Sequence, residues 1–129
     1  MTSSLKASVK VSDLGDQEKN ALFAKVSQFF SVLADSSRLG ILYTVCKGEK
    51  SVSEVVAACE LSQANVSRHL TALHDCGILA RKKVGTTVFY SIADPATIEI
   101  CQTICGRILD EMNISGKKKN PRAKRAAHV

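Results

Sequence analysis

The stretch Ser62-Gln-Ala-Asn-Val-Ser-Arg-His-Leu-Thr-Ala-Leu-His-Asp-Cys76, followed at once by Gly77, decides the fold. Ser62 offers a side-chain oxygen to the unpaired amides of a helix start, and Gly77 suits the left-handed position just past a helix end. Between them Val66, Leu70 and Leu73 recur at helical spacing and make one apolar stripe. The opposite side carries Ala64, Ser67, Arg68 and Thr71, with Gln63 and Asn65 flanking and His69 toward the edge of the stripe. An ordinary solvated face is more often rich in Glu and Lys. Small hydroxyls, amides and one guanidinium suit a major groove instead: Arg forks onto guanine, Asn and Gln onto adenine, and small residues allow close approach. Gln63, Ala64, Asn65, Ser67, Arg68, His69 and Thr71 are therefore the candidate contacts to double-stranded DNA.

The flanks agree. Upstream, Ser51-Val-Ser-Glu-Val-Val-Ala-Ala-Cys-Glu-Leu61 reads as a short helix with Val52, Val55, Val56 and Cys59 inward. A Glu-Leu turn then gives the spacing of a helix-turn-helix. Downstream, Ile78–Val84 and Thr86–Ile92 are strand-like runs about a turn at Gly85, the hairpin wing of a winged helix. Arg81, Lys82 and Lys83 on that wing are candidates for the DNA backbone or minor groove.

Ala34-Asp-Ser-Ser-Arg-Leu-Gly-Ile-Leu42, Leu61-Ser-Gln-Ala-Asn-Val-Ser-Arg-His-Leu70, Gly77-Ile-Leu79 and Val88-Phe-Tyr-Ser-Ile92 together resemble the ArsR/SmtB family. The resemblance runs from about residue 20 to 110, with the four motifs in order. It implies a bacterial winged-helix repressor, a homodimer on operator DNA that leaves when a metal, metalloid or other effector binds. The expected fold is mainly α: about five helices with a two-stranded β-hairpin wing, dimerised through the first and last helices.

Composition sets the bounds. The 129 residues, 45% apolar and 23% charged, suit one soluble domain. There is no basic-then-apolar leader and no run near the ~18 apolar residues of a membrane span, so a cytoplasmic location and no membrane partner are expected. Five cysteines without paired spacing read as free thiols in a reducing compartment. The net charge of +6 resides in Lys117, Lys118, Lys119, Arg122, Lys124 and Arg125; the basic and acidic residues before them cancel. The better footprint is local: residues 62–92 hold Arg68, Arg81, Lys82 and Lys83 against Asp75 alone.

In chain order, residues 1–16 read as a flexible arm, 17–112 as the DNA-binding and dimerisation domain, and 113–129 as a basic disordered tail. Leu22, Val26, Phe29 and Leu33 make the first helix amphipathic from Asp16 to about Leu33, and Phe23 and Phe30 widen its apolar face. In the family this helix packs across the dimer axis. Asp35 caps the next helix, with Leu39, Ile41, Leu42, Val45 and Cys46 expected inward and Arg38 in a salt bridge within the domain. Pro95 opens the last helix, whose seam of Ile98, Cys101, Ile104, Cys105, Ile108, Leu109 and Met112 calls for a partner helix, most simply a second copy of itself.

Cys101 and Cys105, one turn apart, carry the candidate chemistry. Their β-carbons would lie about 5–6 Å apart, too far for an unstrained disulfide but suited to bridging a soft ion. Packing alone would also place thiols on such a seam. Cys59 and Cys76 read as structural. Against the family pattern, Ser51, Ser53 and Val56 stand where its best-known arsenic sensors carry cysteines. The last helix also lacks the Asp and His of its zinc sensors. What remains resembles the antimonite- or arsenite-responsive members with a dithiol in the last helix. No constitutive cofactor is expected, only Sb(III) or As(III) as inducer. Persulfide-sensing members are a second comparison. Cys46 stands about one turn late for their pattern, with Tyr43 in place, and Cys105 one turn early, with Leu109 in place. A third class is an effectorless repressor with inert cysteines. Catalysis is not expected: Ser67, His69, His74 and Asp75 share one helix, where Ser67 and His74 do not face each other as nucleophile and base.

Overall fold

Four of the five α-helices among the described residues begin where the sequence supplies a capping oxygen, and the first begins at Gly15, whose amide donates to Glu18 at 2.9 Å. The computed structural model describes residues 9–113. Helix α1 spans Asp16–Leu33, α2 Ser36–Cys46, α3 Val52–Cys59, α4 Gln63–Asp75 and α5 Pro95–Met112. Asp35 accepts the Arg38 amide at 3.0 Å to start α2. Ser51 and Glu54 form a reciprocal capping box for α3. Ser62 accepts the Asn65 amide at 3.1 Å for α4, and Asp94 accepts from Ala96 N–H and the Thr97 hydroxyl for α5.

Helix α4 stops as the glycine requires. Gly77 has φ +85°, Ile78 N–H reaches back to Leu73 C=O and Gly77 N–H to His74 C=O, a complete Schellman turn. Leu73 and Ile78, which close that turn, are both fully buried. The helix-turn-helix corner is made by Glu60, held left-handed at φ 56° after α3, so that Leu61 and Ser62 redirect the chain into α4.

The wing is a hairpin of β2 (Leu79–Val84) and β3 (Thr87–Ile92), turning at Gly85-Thr86 with Leu79 opposite Ile92 and Val84 opposite Thr87. The two-stranded hairpin wing is present as expected, and a third strand extends it into a three-stranded antiparallel sheet. Strand β1, Lys50–Ser51, pairs Lys50 with Tyr90 and Ser51 with Phe89 at the edge of β3. Two residues before a helix cap carry no periodicity, so only the pairing reveals them as a strand.

The core is Ile41, Leu42 and Val45 of α2, Val55 of α3, Val66, Leu70 and Leu73 of α4, with Ile78, Leu79 and Tyr90. Two residues expected inward on α2, Leu39 and Cys46, are exposed instead; Thr44 takes the inward place, its hydroxyl donating to Gly40 C=O at 3.1 Å. Helix α1 buries no residue fully and leans on the core through Phe29, Val32 and Leu33. Phe23 and Phe30 remain about half exposed (54% and 48%). Helix α5 buries only Thr97, rests Ile98 and Cys101 on the core, and leaves Ile104, Ile108, Leu109 and Met112 in the open.

Within the expected N-terminal arm, Val11–Asp13 form a 3-10 turn just before α1. Residues 1–8 and the expected basic tail, apart from Asn113 at the end of α5, lie outside the described residues. Among the described residues, no helix is long and apolar enough to cross a membrane.

Leu70, with no exposed surface, and Thr71, which faces outward, test the two sides of α4. Leu70→Ala should cost about 2–5 kcal/mol of stability in urea unfolding, and Thr71→Ala less than about 0.5 kcal/mol.

Candidate nucleic-acid interface and thiol site

The outer face of α4 is built by what its inner face must bury. With Val66, Leu70 and Leu73 sealed in the core, Gln63, Ala64, Asn65, Arg68 and Thr71 are left exposed and Ser67 half exposed. Arg68 Nη2 donates to Asn65 Oδ1 at 2.9 Å. This i, i+3 pair holds the guanidinium close along the helix rather than free in solvent, with its remaining donors outward.

His69 does not belong to this face. It is buried, at 4% exposure, and its Nδ1 accepts a hydrogen bond from Arg38 Nε at 3.1 Å. The ring thus sits inside the domain, out of reach of a groove. Arg38 correspondingly makes no salt bridge of the kind expected: it donates to His69 and, through Nη1, to Val32 C=O at 3.0 Å. Burial pushes the His69 pKa down, reinforced by the Arg38 and Arg68 charges and opposed by Asp35. Asp35 is held low, chiefly by the Arg38 amide it caps.

On the wing, Arg81, Lys82 and Lys83 are all exposed. Lys82 Nζ lies 3.2 Å from Glu49 Oε2, so part of its charge is already answered, while Arg81 and Lys83 alternate with it along the strand. Ser67, His69, His74 and Asp75 do not assemble: His74 pairs with its neighbour Asp75 at 3.3 Å, and His69 is committed to Arg38.

The two candidate thiols of α5 differ in setting. Cys101 is half-buried against the core, whereas Cys105, one turn on, is exposed. The pair straddles the point where α5 leaves the core and its apolar side becomes open surface. Burial pushes the Cys101 thiol up, and Cys105 and Cys46 push it further. Cys46 is exposed as a residue, yet its thiol is also raised by the protein beside it. A shallow groove of about 300 Å³ runs there between Cys46, Ile92, Pro95, Ile98, Glu99 and Gln102. Among the described residues, no three His, Cys, Asp or Glu side chains already form a metal-holding group. Cys59 is half-buried with its Sγ 3.6 Å from Thr44 Oγ1, and Cys76 is half-buried before Gly77.

Residues 35–81, from the cap of α2 through α4 into the wing, match the model of the bacterial regulatory proteins of the arsR family. The arsenical resistance operon repressor of Bacillus subtilis is 34% identical over 80 residues, 61% of this chain and 76% of that protein. The chain belongs to the arsR family. The probable mercury resistance operon repressor of Streptomyces lividans is 36% identical over 74 residues, 57% of this chain. This ArsR-family chain spans only 59% of that relative's length. In three dimensions it resembles the homodimeric winged helix-turn-helix DNA-binding domain of a possible ArsR-family regulator from Mycobacterium bovis. The TM-score is 0.66 at 27% identity, over 75% of this chain and 92% of that one. The family places the chain among transcriptional regulators rather than enzymes.

Sequence reading missed two things here, the Arg38–His69 bond and the approach of Cys46 to the start of α5. Neither leaves a local signal, since the partners are 31 residues apart in the first case and on different helices in the second.

A raised thiol pKa leaves little thiolate at neutral pH. Iodoacetamide should therefore alkylate Cys101 slowly at pH 7. Its rate should rise about tenfold per pH unit without levelling off below about pH 8.5, the ordinary thiol value, as followed by peptide mass spectrometry.

Proposed function

We propose that this chain is a homodimeric transcriptional repressor that leaves its operator when a trivalent metalloid, arsenite or antimonite, binds Cys101 and Cys105. Gln63, Ala64, Asn65, Ser67, Arg68 and Thr71 read the major groove from each subunit. Arg81, Lys82 and Lys83 of the wing hold the backbone or the minor groove.

The dimer reading rests on α1 and α5. Phe23, Val26 and Phe30 on one, and Ile104, Ile108, Leu109 and Met112 on the other, are large apolar side chains left in water by a single subunit. Monomers rarely leave that much exposed, and a self-complementary pairing of the same two helices covers it twice. The homodimeric state of the Mycobacterium bovis domain supports the same arrangement.

The observation that carries the effector reading is the placement of the thiol pair, one sulfur on the subunit core and the next on the open face of α5. Two soft sulfurs on adjacent turns suit a soft trivalent ion, whereas harder cations favour oxygen and nitrogen donors. A ligand gripping both biases α5 where it passes from core to dimer face, and thereby the separation of the two recognition helices. The arsenical and mercury repressors among the relatives are consistent with a soft effector. Cys46, which lines a groove with Ile98 and Gln102 of α5, favours a second reading. A persulfide donor passes its outer sulfur to one thiol and leaves as a thiol, and a second cysteine then displaces hydrosulfide to form a disulfide between α2 and α5.

Anisotropy of the reduced protein on a duplex from its own upstream region separates these readings. Release by arsenite or antimonite, abolished in Cys101→Ser/Cys105→Ser, is the expected result. Release by a persulfide donor alone, abolished in Cys46→Ser, selects the second reading, and release by none makes the thiols packing residues. On the same duplex, Arg68→Ala should cost about 1–3 kcal/mol and relax sequence preference. An equal loss on unrelated DNA would reduce Arg68 to a phosphate contact.

A further inference from the structure

The DNA-facing side of α4 explains Arg68 and its neighbours but leaves the buried side chain next to it unused. His69 is the one titratable group among the buried residues of α4, and an apolar residue would fill its place more cheaply. Its ring accepts from Arg38 Nε at 3.1 Å. The same guanidinium donates through Nη1 at 3.0 Å to the carbonyl of Val32, in the last turn of α1. That carbonyl has no partner within its own helix, and a cation suits the negative end of the α1 dipole. Arg38 itself sits in the first turn of α2, where its amide is fixed by Asp35 at 3.0 Å. One side chain therefore ties together the end of α1, the start of α2 and the middle of α4.

We infer that the Arg38–His69 hydrogen bond is a positioning device for the recognition helix, tying α4 to the end of the dimer helix α1. Losing it weakens operator binding without removing any contact to DNA. The inference rests on the DNA-binding reading of α4. Its force comes from how loosely α1 is otherwise held. With no fully buried residue of its own, α1 leans on Phe29, Val32 and Leu33, and the Arg38 bond falls on the carbonyl of one of those three. A change in the dimer face carried by α1 thus has a direct route to α4 that bypasses the apolar core.

The bond requires an unprotonated Nδ1, because Arg38 only donates. Protonating His69 removes the acceptor and sets an imidazolium against a guanidinium. The charged groups that face it are Asp35 and Arg38 from α2 and Arg68 from its own helix; α1 presents only the Val32 carbonyl to this cluster. Because burial lowers the His69 pKa, the unfolded chain takes up the proton first as pH falls. Stability from this group is complete above the ordinary histidine value of about 6.5 and drains away below it. Operator affinity is expected to fall at lower pH still, where the folded ring itself takes up the proton.

The test is operator affinity by anisotropy between about pH 8 and pH 5 at constant ionic strength, with thermal melts alongside. His69→Asn keeps an acceptor oxygen near the Nδ1 position but does not titrate. It should bind within about threefold of the parent at pH 7.5 and lose the acid-side decline in both affinity and melting temperature. Arg38→Lys has one point donor in place of a fork and should bind about tenfold more weakly at pH 7.5 with the salt dependence unchanged. The positioning role is overturned if the parent and His69→Asn share one affinity profile, whatever the melts show. It is equally overturned if Arg38→Lys binds like the parent, or if Arg38→Gln lowers the salt slope by about one, the mark of a direct phosphate contact. A parent that binds no duplex at any pH sinks the DNA reading along with it, and so is distinguishable from these outcomes.

Discussion

Burial of one stripe on α4 is the constraint to which the rest of the subunit answers. Val66, Leu70 and Leu73 have no exposed surface, and α4 packs on α2, α3 and β2. Three fully buried aliphatic side chains contribute several kcal/mol, roughly 1.5–3 each, more than any polar contact on the outer face supplies. The Ser62 cap and the Gly77 turn then fix where the helix begins and ends, so its rotation and length are both determined. The outward set, from Gln63 to Thr71, is what that rotation leaves over. Recognition chemistry is thus positioned by apolar burial and only refined by polar bonds such as Arg68 to Asn65.

The same accounting leaves α1 and α5 incomplete. Each carries a broad apolar side, yet between them they bury a single residue, Thr97, fully. An amphipathic helix gains little from water on its apolar face, so these two helices point to the proposed second subunit. Cys101 and Cys105 lie where α5 passes from the finished part of the fold to the unfinished part. The site proposed for a soft ligand and the surface proposed for dimerisation are therefore successive turns of one helix. Coupling between them needs no long pathway.

A second link joins the end of α1 to α4 through Arg38. Its guanidinium satisfies an orphan carbonyl of α1 and an imidazole of α4 together, which is why a cation is tolerated half-buried. The neutral state of His69 follows from the same geometry. A ring that accepts from arginine in a buried place has every reason to stay unprotonated near neutral pH.

What the sequence determined by itself was everything set within a turn of helix or a hairpin. Asp35, Ser62 and Pro95 marked helix starts and Gly77 a helix end, because caps act over three or four residues. The apolar stripe of α4 and the alternating runs of the wing gave the rotation of each element, and with it most of the side chains that face outward. Tertiary structure decided what depends on partners far along the chain. His69, read at the edge of the α4 stripe and counted among the DNA contacts, is buried, since position on a helical wheel does not disclose an arginine 31 residues away that satisfies its ring. Strand β1 exists only because β3 offers its edge, and Leu39 and Cys46 are exposed because Thr44 satisfies its hydroxyl on the Gly40 carbonyl and takes the inward place. The groove that Cys46 shares with Ile98 and Gln102 of α5 belongs to the same class. Local bonds are written in neighbouring residues, whereas these contacts arise only when separate helices have already packed.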